Sequence, residues 1–329
     1  MLNNSDVVIT WRDFVAQFPE PRRVMAPFPY YGGKGHLARR IVPLLPRGQV
    51  YVEPFCGAAS VFWHLPKPYP VMVLNDLDAN IISVFRALQD QQQFEELAHR
   101  LTFTPYSRAE FVRALQMLRD DNIAPIDKAW ATMVVAGQSI NGNGTRSGDW
   151  SRAFVSSRDI AKTASAWRSR LRSLQFWHDR LLSVQLDCRD AVDVIQYWDS
   201  TGTVFYLDPP YPHGTRAPGS CRKYRYEMTD EQHNKLIDIL LTLKGKAILS
   251  GYRTHLYERL DWPTIEIRTA CHTAARTRSS KLRGTGALTK HAPRTEVLWI
   301  SPSCGTLLTP ICCAKDEPVK VTNAARVSR

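Results

Sequence analysis

Asp208-Pro209-Pro210-Tyr211 brings an acid, exposed backbone carbonyls and an aromatic ring together on one stiff turn. Both prolines lack an amide hydrogen and hold φ fixed, so the apolar, β-prone run from Thr203 to Leu207 must end abruptly there. The chemistry this suits is the handling of an exocyclic amino group. If Asp208 accepts one amine hydrogen and the Pro209 carbonyl the other, both are held out of the plane of the base. The nitrogen lone pair, otherwise delocalised, is then freed toward an electrophile. Tyr211 can stack on the ring that carries the amine. Such an amine has little basicity before attack, so orientation and electrostatics carry more of the rate than proton abstraction. A base inside a duplex cannot reach this turn and has to be flipped out.

Other stretches supply groups of the same kind. In Tyr30-Tyr31-Gly32-Gly33-Lys34-Gly35, glycines beside aromatics permit close backbone approach to a planar or charged ligand, and Lys34 offers a cation to a carboxylate. A helix is expected from His36 to Leu45, stopped by Pro46 and Gly48. The strand Val50 to Glu53 runs into Pro54-Phe55-Cys56-Gly57-Ala58-Ala59-Ser60 and an expected helix from Val61 to Leu65. Small residues at such a turn let a ligand sit against a helix N-terminus. The three-glycine dinucleotide fingerprint is missing, so no pyrophosphate is implied. A strand from Val71 to Leu74 ends at Asn75-Asp76-Leu77-Asp78, where one aspartate can bind ribose hydroxyls and the other cap the helix Ala79 to Leu88. A further strand, Leu182 to Leu186, ends at Asp187-Cys188-Arg189-Asp190. Glu53, Asp76, Asp190 and Asp208 would line one crevice of a parallel sheet. No residue set has metal-ligand spacing, and there is no Gly-Lys-Thr phosphate loop. No serine or cysteine sits in a nucleophile elbow, and His213 reads as a loop residue rather than a general base.

The elements that position these groups follow from length and pattern. A chain of 329 residues can make one large α/β domain with a second one inserted. Residues 1–23 read as an extension with at most a short helix between Trp11 and Phe18. No apolar run is long enough to cross a membrane, and Asp6, Asp13 and Glu20 exclude a secretory signal at the start. Seven scattered cysteines give no disulfide framework, which suits a reducing cytoplasmic interior.

The formal charge of +12 favours a polyanionic partner. Residues 89–183 change pattern. Helices are expected over Phe94 to Leu101, Arg108 to Leu118 and Asp127 to Val135, before a polar glycine-rich loop from Gln138 to Trp150 holding Asn141 and Arg146. Arg152, Arg168 and Arg170 follow among aromatics, a mixture suited to phosphate contact. After Tyr211, the polar stretch with Arg216 reads as a mobile cover ahead of the helix Asp230 to Leu243, capped by Thr229. A strand Ala247 to Ser250 and a short helix Leu256 to Leu260 lead to a long hairpin, from Thr264 to Thr269 and back over Thr295 to Ile300. Its span 266–294 holds seven basic residues against one acid, and Arg276, Arg278, Lys281 and Arg283 are its candidate DNA contacts. Residues 302–329 read as a flexible tail.

The order of these stretches resembles the Dam-type, D12-class DNA adenine-N6 methyltransferases: Tyr30 to Lys34, Val52-Glu53-Pro54-Phe55-Cys56-Gly57, Asn75 to Asp78, Asp208 to Tyr211 and the closing strand Thr295 to Ile300. The resemblance implies a Rossmann-like S-adenosylmethionine-dependent methyltransferase sheet over 24–88 and 184–301, with a mostly helical target-recognition domain over 89–183. It implies S-adenosylmethionine as methyl donor, double-stranded DNA as partner, and direct transfer without metal. Tyr30 and Lys34 would lie near the donor, with Lys34 toward its methionine end; Phe55, Cys56 and Gly57 would pack around it. Asp76 would take the ribose hydroxyls and the edge Cys188, Arg189, Asp190 the donor's adenine.

Two features depart from the family. Alanine at 59 replaces its second glycine, a tolerable change if φ stays negative, and the arginine and aromatic expected ahead of Asn141-Gly142 are absent. Recognition of GATC therefore does not carry over, and the long basic hairpin suits another short target or weak preference, as in phage-borne relatives. No pattern points to a restriction-endonuclease partner. Three rivals remain: cytosine N4 in DNA or adenine N6 in ribosomal RNA as acceptor, a nucleotide-dependent oxidoreductase, and a nucleic-acid-binding protein with an inactive core. The last two leave the Asp208 turn and the complete acid set unexplained.

Overall fold

The structure is a computed structural model that describes residues 25–142, 149–154, 156–157, 159–212, 214, 224–271, 292–305 and 320–322. The chain forms two compact units, one of Ser83–Leu182 with the segment up to Pro29, the other of Tyr30–Ile82 with the residues from Ser183 onward. In chain order its strands are β1 Val50–Glu53, β2 Val71–Asn75, β3 Ser156–Ser157, β4 Ile160–Ala161, β5 Val184–Asp187, β6 Thr203–Leu207, β7 Lys246–Gly251, β8 Thr264–Cys271, β9 Ala292–Ile300 and β10 Lys320–Thr322.

Eight of them form one sheet in the order β10-β8-β9-β7-β6-β1-β2-β5. The five from β5 to β7 are parallel, whereas β9, β8 and β10 join in antiparallel fashion. Strand order reverses at β1, between β2 and β6, and crevices open at the carboxyl ends beside such a switch point. The residues of β6 are all buried, as a central parallel strand covered on both faces requires. Val52, Val73, Phe205, Leu207, Leu249, Val297 and Trp299 pack from the sheet into one core with Val194, Ile195, Leu236, Ile237 and Leu240 of two covering helices. One of these, Asp230–Leu241, starts at a capping box in which Thr229 and Gln232 exchange hydrogen bonds.

The other unit is helical. Helix Pro125–Gln138 buries nearly every side chain from Ala129 on, against Phe94, Leu97, Phe111 and Trp167 of its neighbours. It begins at Pro125, a residue preorganised for a first helical turn, and ends three residues beyond the expected Val135. Gln138 explains the extension: its side chain accepts from the Ser107 amide and donates to the Pro105 carbonyl, so a polar residue expected in a loop is wholly buried.

Three further expectations are corrected. The helix from Val61 to Leu65 is only a 3-10 turn, Phe62–His64, because Pro66 leaves too little chain, and no helix dipole faces the crevice. The helix after Lys34 is likewise short, Ala38–Ile41 followed by a 3-10 turn. The tail is not structureless throughout: Pro302–Cys304 is a turn with Cys304 buried, and β10 extends the sheet along β8. The expected helix between Trp11 and Phe18 lies outside the described residues.

Candidate active site

The stiff turn after β6 sets Asp208 and Pro210 into a cavity of about 1230 Å³, its open mouth included. Its apolar walls include Tyr30, Tyr31, Phe55, Tyr224, Tyr226 and Met228; its carboxylates are Glu53, Asp76, Asp78, Asp190, Asp208 and Glu227. The side chain of Asp208 is 19% exposed, while Pro209 and Tyr211 are buried and line no part of the cavity. Tyr211 is therefore not a free stacking ring here: it lies 4.5 Å from the Tyr252 ring, and its hydroxyl is engaged.

The engagement centres on Lys34. Its ammonium donates to Asp208 Oδ1 at 2.6 Å, to the Tyr211 hydroxyl at 2.6 Å and to the Gly32 carbonyl at 3.2 Å. An ammonium has three hydrogens, and all three of Lys34's are directed to groups of its own chain, while the residue also lines the cavity. The Tyr211 hydroxyl in turn donates to Glu296, 3.0 and 3.2 Å from the two carboxylate oxygens. Glu296 also accepts from Ser250 at 2.8 Å and lies 3.5 Å from the Lys34 nitrogen. Burial works against the charge on Lys34, but Asp208 and then Glu296 outweigh it and hold its pKa well above the usual value. Asp208 is pushed up to about 6, chiefly by burial, with Lys34 opposing and Glu296 adding to the rise.

The other half of the cavity is built from backbone. Asp76 accepts from the Gly57 amide at 2.8 Å and the Asp78 amide at 2.9 Å, and burial raises it to about 7. Asp78 takes the capping role, accepting from the Asn80 amide, and Asp190 caps the helix Ala191–Trp198. Glu53 receives the Tyr51 hydroxyl and the Phe62 amide on one oxygen, and burial raises it to about 8, so it is neutral near pH 7. Burial and then Asp76 keep the Cys56 thiol protonated.

Gly57 has φ +49°, and a Cβ there would meet the Tyr30 ring at 2.8 Å, so only glycine fits. Ala59 is left-handed too, at φ +53°, so the condition under which this replacement of glycine would be tolerable is not met. A flat ring, a hydroxylated sugar and a positive charge match these walls: aromatics and Phe55 for the ring, Asp76 for hydroxyls, and Asp208 for the charge.

Sequence reasoning missed three contributors. Glu296 opens an otherwise apolar run, and that isolated carboxylate was the available signal. Asn75, fully buried, bonds Pro54 and both polar backbone groups of Arg189, tying two strand ends together. Tyr224 to Met228 wall the cavity, with Tyr224 edge-on to Tyr31 at 5.4 Å and Arg225 3.5 Å from Asp78.

Of the remaining candidates, Cys188 and Arg189 do not line the cavity, and Arg189 turns back to Asp187 at 2.7 Å. In the helical unit, Arg152 is exposed beside the half-exposed Phe154, and Arg168 is exposed on the helix Lys162–Leu171. Arg170 is half-buried: its guanidinium donates to the Ala26 carbonyl at 2.6 Å, and burial lowers its pKa to about 10. Arg146, Arg216, Arg276, Arg278, Lys281 and Arg283, and the side chain of Asn141, lie outside the described residues. Among the described residues no group of three His, Cys, Asp or Glu could hold a metal, and no helix is long and apolar enough to cross a membrane.

Against known proteins, residues 30–270 match the profile of the D12 class N6 adenine-specific DNA methyltransferases. Over 215 residues the chain is 25% identical to the DNA N-6-adenine-methyltransferase of Escherichia phage P1. That match takes in 65% of this chain and 27% of the phage protein, so the chain spans about a quarter of its relative's length.

Proposed function

The chain belongs to the D12 class of N6 adenine-specific DNA methyltransferases, and from that premise we propose that it transfers the methyl group of S-adenosylmethionine to N6 of an adenine flipped out of duplex DNA. The observation that carries this reading is Asp208, ion-paired through one oxygen and facing the cavity beside Pro210. S-adenosylmethionine supplies an electrophilic methyl on a sulfonium. Tyr30 and Phe55 would flank its flat parts and Asp76 its ribose hydroxyls, with Glu53 lining the same crevice.

Asp208 Oδ1 is committed to Lys34, which leaves Oδ2 to accept a hydrogen from the adenine amine. Pro209 does not line the cavity as it stands, so its carbonyl would accept the second hydrogen and hold the lone pair toward the methyl group only once the entering base reaches the turn. Asp208 takes up the proton released on transfer, or passes it to water, which requires it ionised at the start. Arg152 and Arg168, with Arg276, Arg278, Lys281 and Arg283, would grip phosphates while the base is extruded. The experiment is transfer of tritiated methyl from S-adenosylmethionine to defined duplex DNA, single-stranded DNA and ribosomal RNA, with the modified base identified by mass. N6-methyladenine in duplex DNA is the expected product; N4-methylcytosine, or label in RNA alone, overturns the assignment.

A further inference from the structure

We infer that Glu296 is a positioning residue for the transfer: acting through Tyr211 and Lys34, it fixes which oxygen of Asp208 stays free for the acceptor amine. This rests on the function proposed above, and the geometry extends it to a residue outside the cavity.

The direction of every bond in the chain is forced by valence. The Lys34 ammonium can only donate, and the carboxylates of Asp208 and Glu296 accept. Tyr211 has one proton, and its oxygen already receives Lys34, so that proton goes to Glu296. Ser250 donates to the same carboxylate from β7, diagonally across the strand pair that joins β7 to β9. One end of the relay is therefore anchored in the sheet and the other at Asp208 Oδ1. Remove the anchor and Tyr211 loses its acceptor, Lys34 loses a second counter-charge, and Asp208 is free to present either oxygen.

Placement at the crevice follows from topology. β9 runs antiparallel to β7, so its beginning lies level with the carboxyl ends of the parallel strands. Glu296 is 3% exposed, as is Lys34. A carboxylate buried this far is costly unless each oxygen has partners, and here the partners lead to the reacting group. The chargeable groups around Asp208 are Lys34 from the glycine turn, Glu296 from β9, Glu53 from β1, Tyr206 from β6, and the hydroxyls of Tyr211 and Tyr257. Glu296 raises the proton affinity of Asp208, whereas Lys34 lowers it.

The test compares Glu296→Gln, Glu296→Ala and Glu296→Asp in the full chain. Glutamine keeps an oxygen for the two hydroxyls and removes the charge; alanine removes both. Since a small misplacement of a reacting group can cost as much as about 100-fold, kcat should fall roughly tenfold in Glu296→Gln and about 100-fold in Glu296→Ala. Partial recovery is expected in Glu296→Asp, with KM for donor and DNA within about twofold throughout. The acid limb of the pH–rate profile should move to lower pH in Glu296→Gln, because a negative neighbour of Asp208 is gone. Wild-type kcat in the alanine variant, or a loss of kcat matched by loss of folded protein, overturns the proposal.

A readout that needs no turnover separates this from failure of the assigned function. Carbon-13 titration of the Asp208 carboxyl should show ionisation at lower pH in Glu296→Gln than in the parent chain. An unchanged titration overturns the coupling even if the chain methylates adenine. A shifted titration upholds it even if the acceptor proves to be another base.

Discussion

Asp76 and Asp208 follow the two strands that flank β1, and both are acids pushed up by burial, yet they are held in different ways. Asp76 accepts two backbone amides, one from the next residue but one and one from Gly57 in the turn after β1. Asp208 is held by the side chain of Lys34, far away in sequence, with Glu296 behind it. Backbone donors come with the fold and cannot be mutated away. A lysine can, and it also leaves one carboxylate oxygen free while neutralising the other. The first arrangement suits lasting acceptance of hydroxyls. The second suits a group that must meet a substrate hydrogen and then take a proton.

The largest effect should come from Asp208→Ala, which removes the carboxylate proposed to accept the amine hydrogen. Turnover should fall by at least about 10³-fold, roughly 4 kcal/mol of barrier, with duplex DNA binding largely spared. Single-turnover labelling beside a binding titration checks this, and unchanged turnover would break the contrast outright. Lys34→Met should come next, through stability. It strands two carboxylates, and removing one partner of a buried pair costs about 3–5 kcal/mol. The loss should be greatest near pH 8 and smaller near pH 5, where the stranded acids can neutralise by protonation. Urea midpoints at both pH values would measure it. Asp76→Ala removes an acid that burial raises and no counter-charge, so its pH dependence should have the opposite sign, with the variant least impaired near pH 8.

The same contrast marks what the sequence made legible. The limits of β1 and β6 coincide with those expected, because a compact apolar run ended by proline is a local signal. The acids at the strand ends were equally local, as was the Thr229 cap. The bond from Lys34 to Asp208 joins residues 174 apart, and Glu296 enters the crevice from the start of an antiparallel strand. A search at the carboxyl ends of strands cannot find such a residue. Tyr211 shows the same limit: its type suggested a stacking ring, but its burial and its two hydroxyl partners are set by elements distant in the chain. Helix length failed for a different reason. Pro66 truncated one expected helix, and a satisfied Gln138 prolonged another.

A third prediction turns on protons. Asp208, Asp76 and Glu53 are raised to about 6, 7 and 8 from ordinary values of 3.8, 3.8 and 4.5. Each binds its proton more tightly folded than unfolded. Its stabilising contribution is full below about pH 4 and is lost as pH rises through the folded value. The ligand-free protein should therefore melt lower as pH climbs from about 5 to 8, and a flat profile would remove the case for raised acids. Ribose hydroxyls donating to Asp76 favour its ionised form, so donor binding near pH 7 should release about half a proton from that site. Calorimetry in buffers of different ionisation enthalpy reads the release, and Asp76→Asn should abolish that share.

The smallest effect should come from Ala59→Gly, in the turn that supports Asp76. Ala59 is fully buried at φ +53°, a region that costs an L-residue about 1–2 kcal/mol. Glycine relieves that strain but gives the unfolded chain about 0.4–1 kcal/mol of extra entropy to lose. The net expectation is stabilisation by about 0.5 kcal/mol, a rise in melting temperature on the order of 1 °C, with turnover unchanged. Gly57→Ala, two residues earlier, should do the opposite, because strain is added together with a Cβ 2.8 Å from the Tyr30 ring. Denaturant midpoints at constant slope compare the two. If Ala59→Gly destabilises the protein, the turn after β1 is not held in the left-handed conformation at 59, and the backbone cradle assigned to Asp76 loses one of its supports.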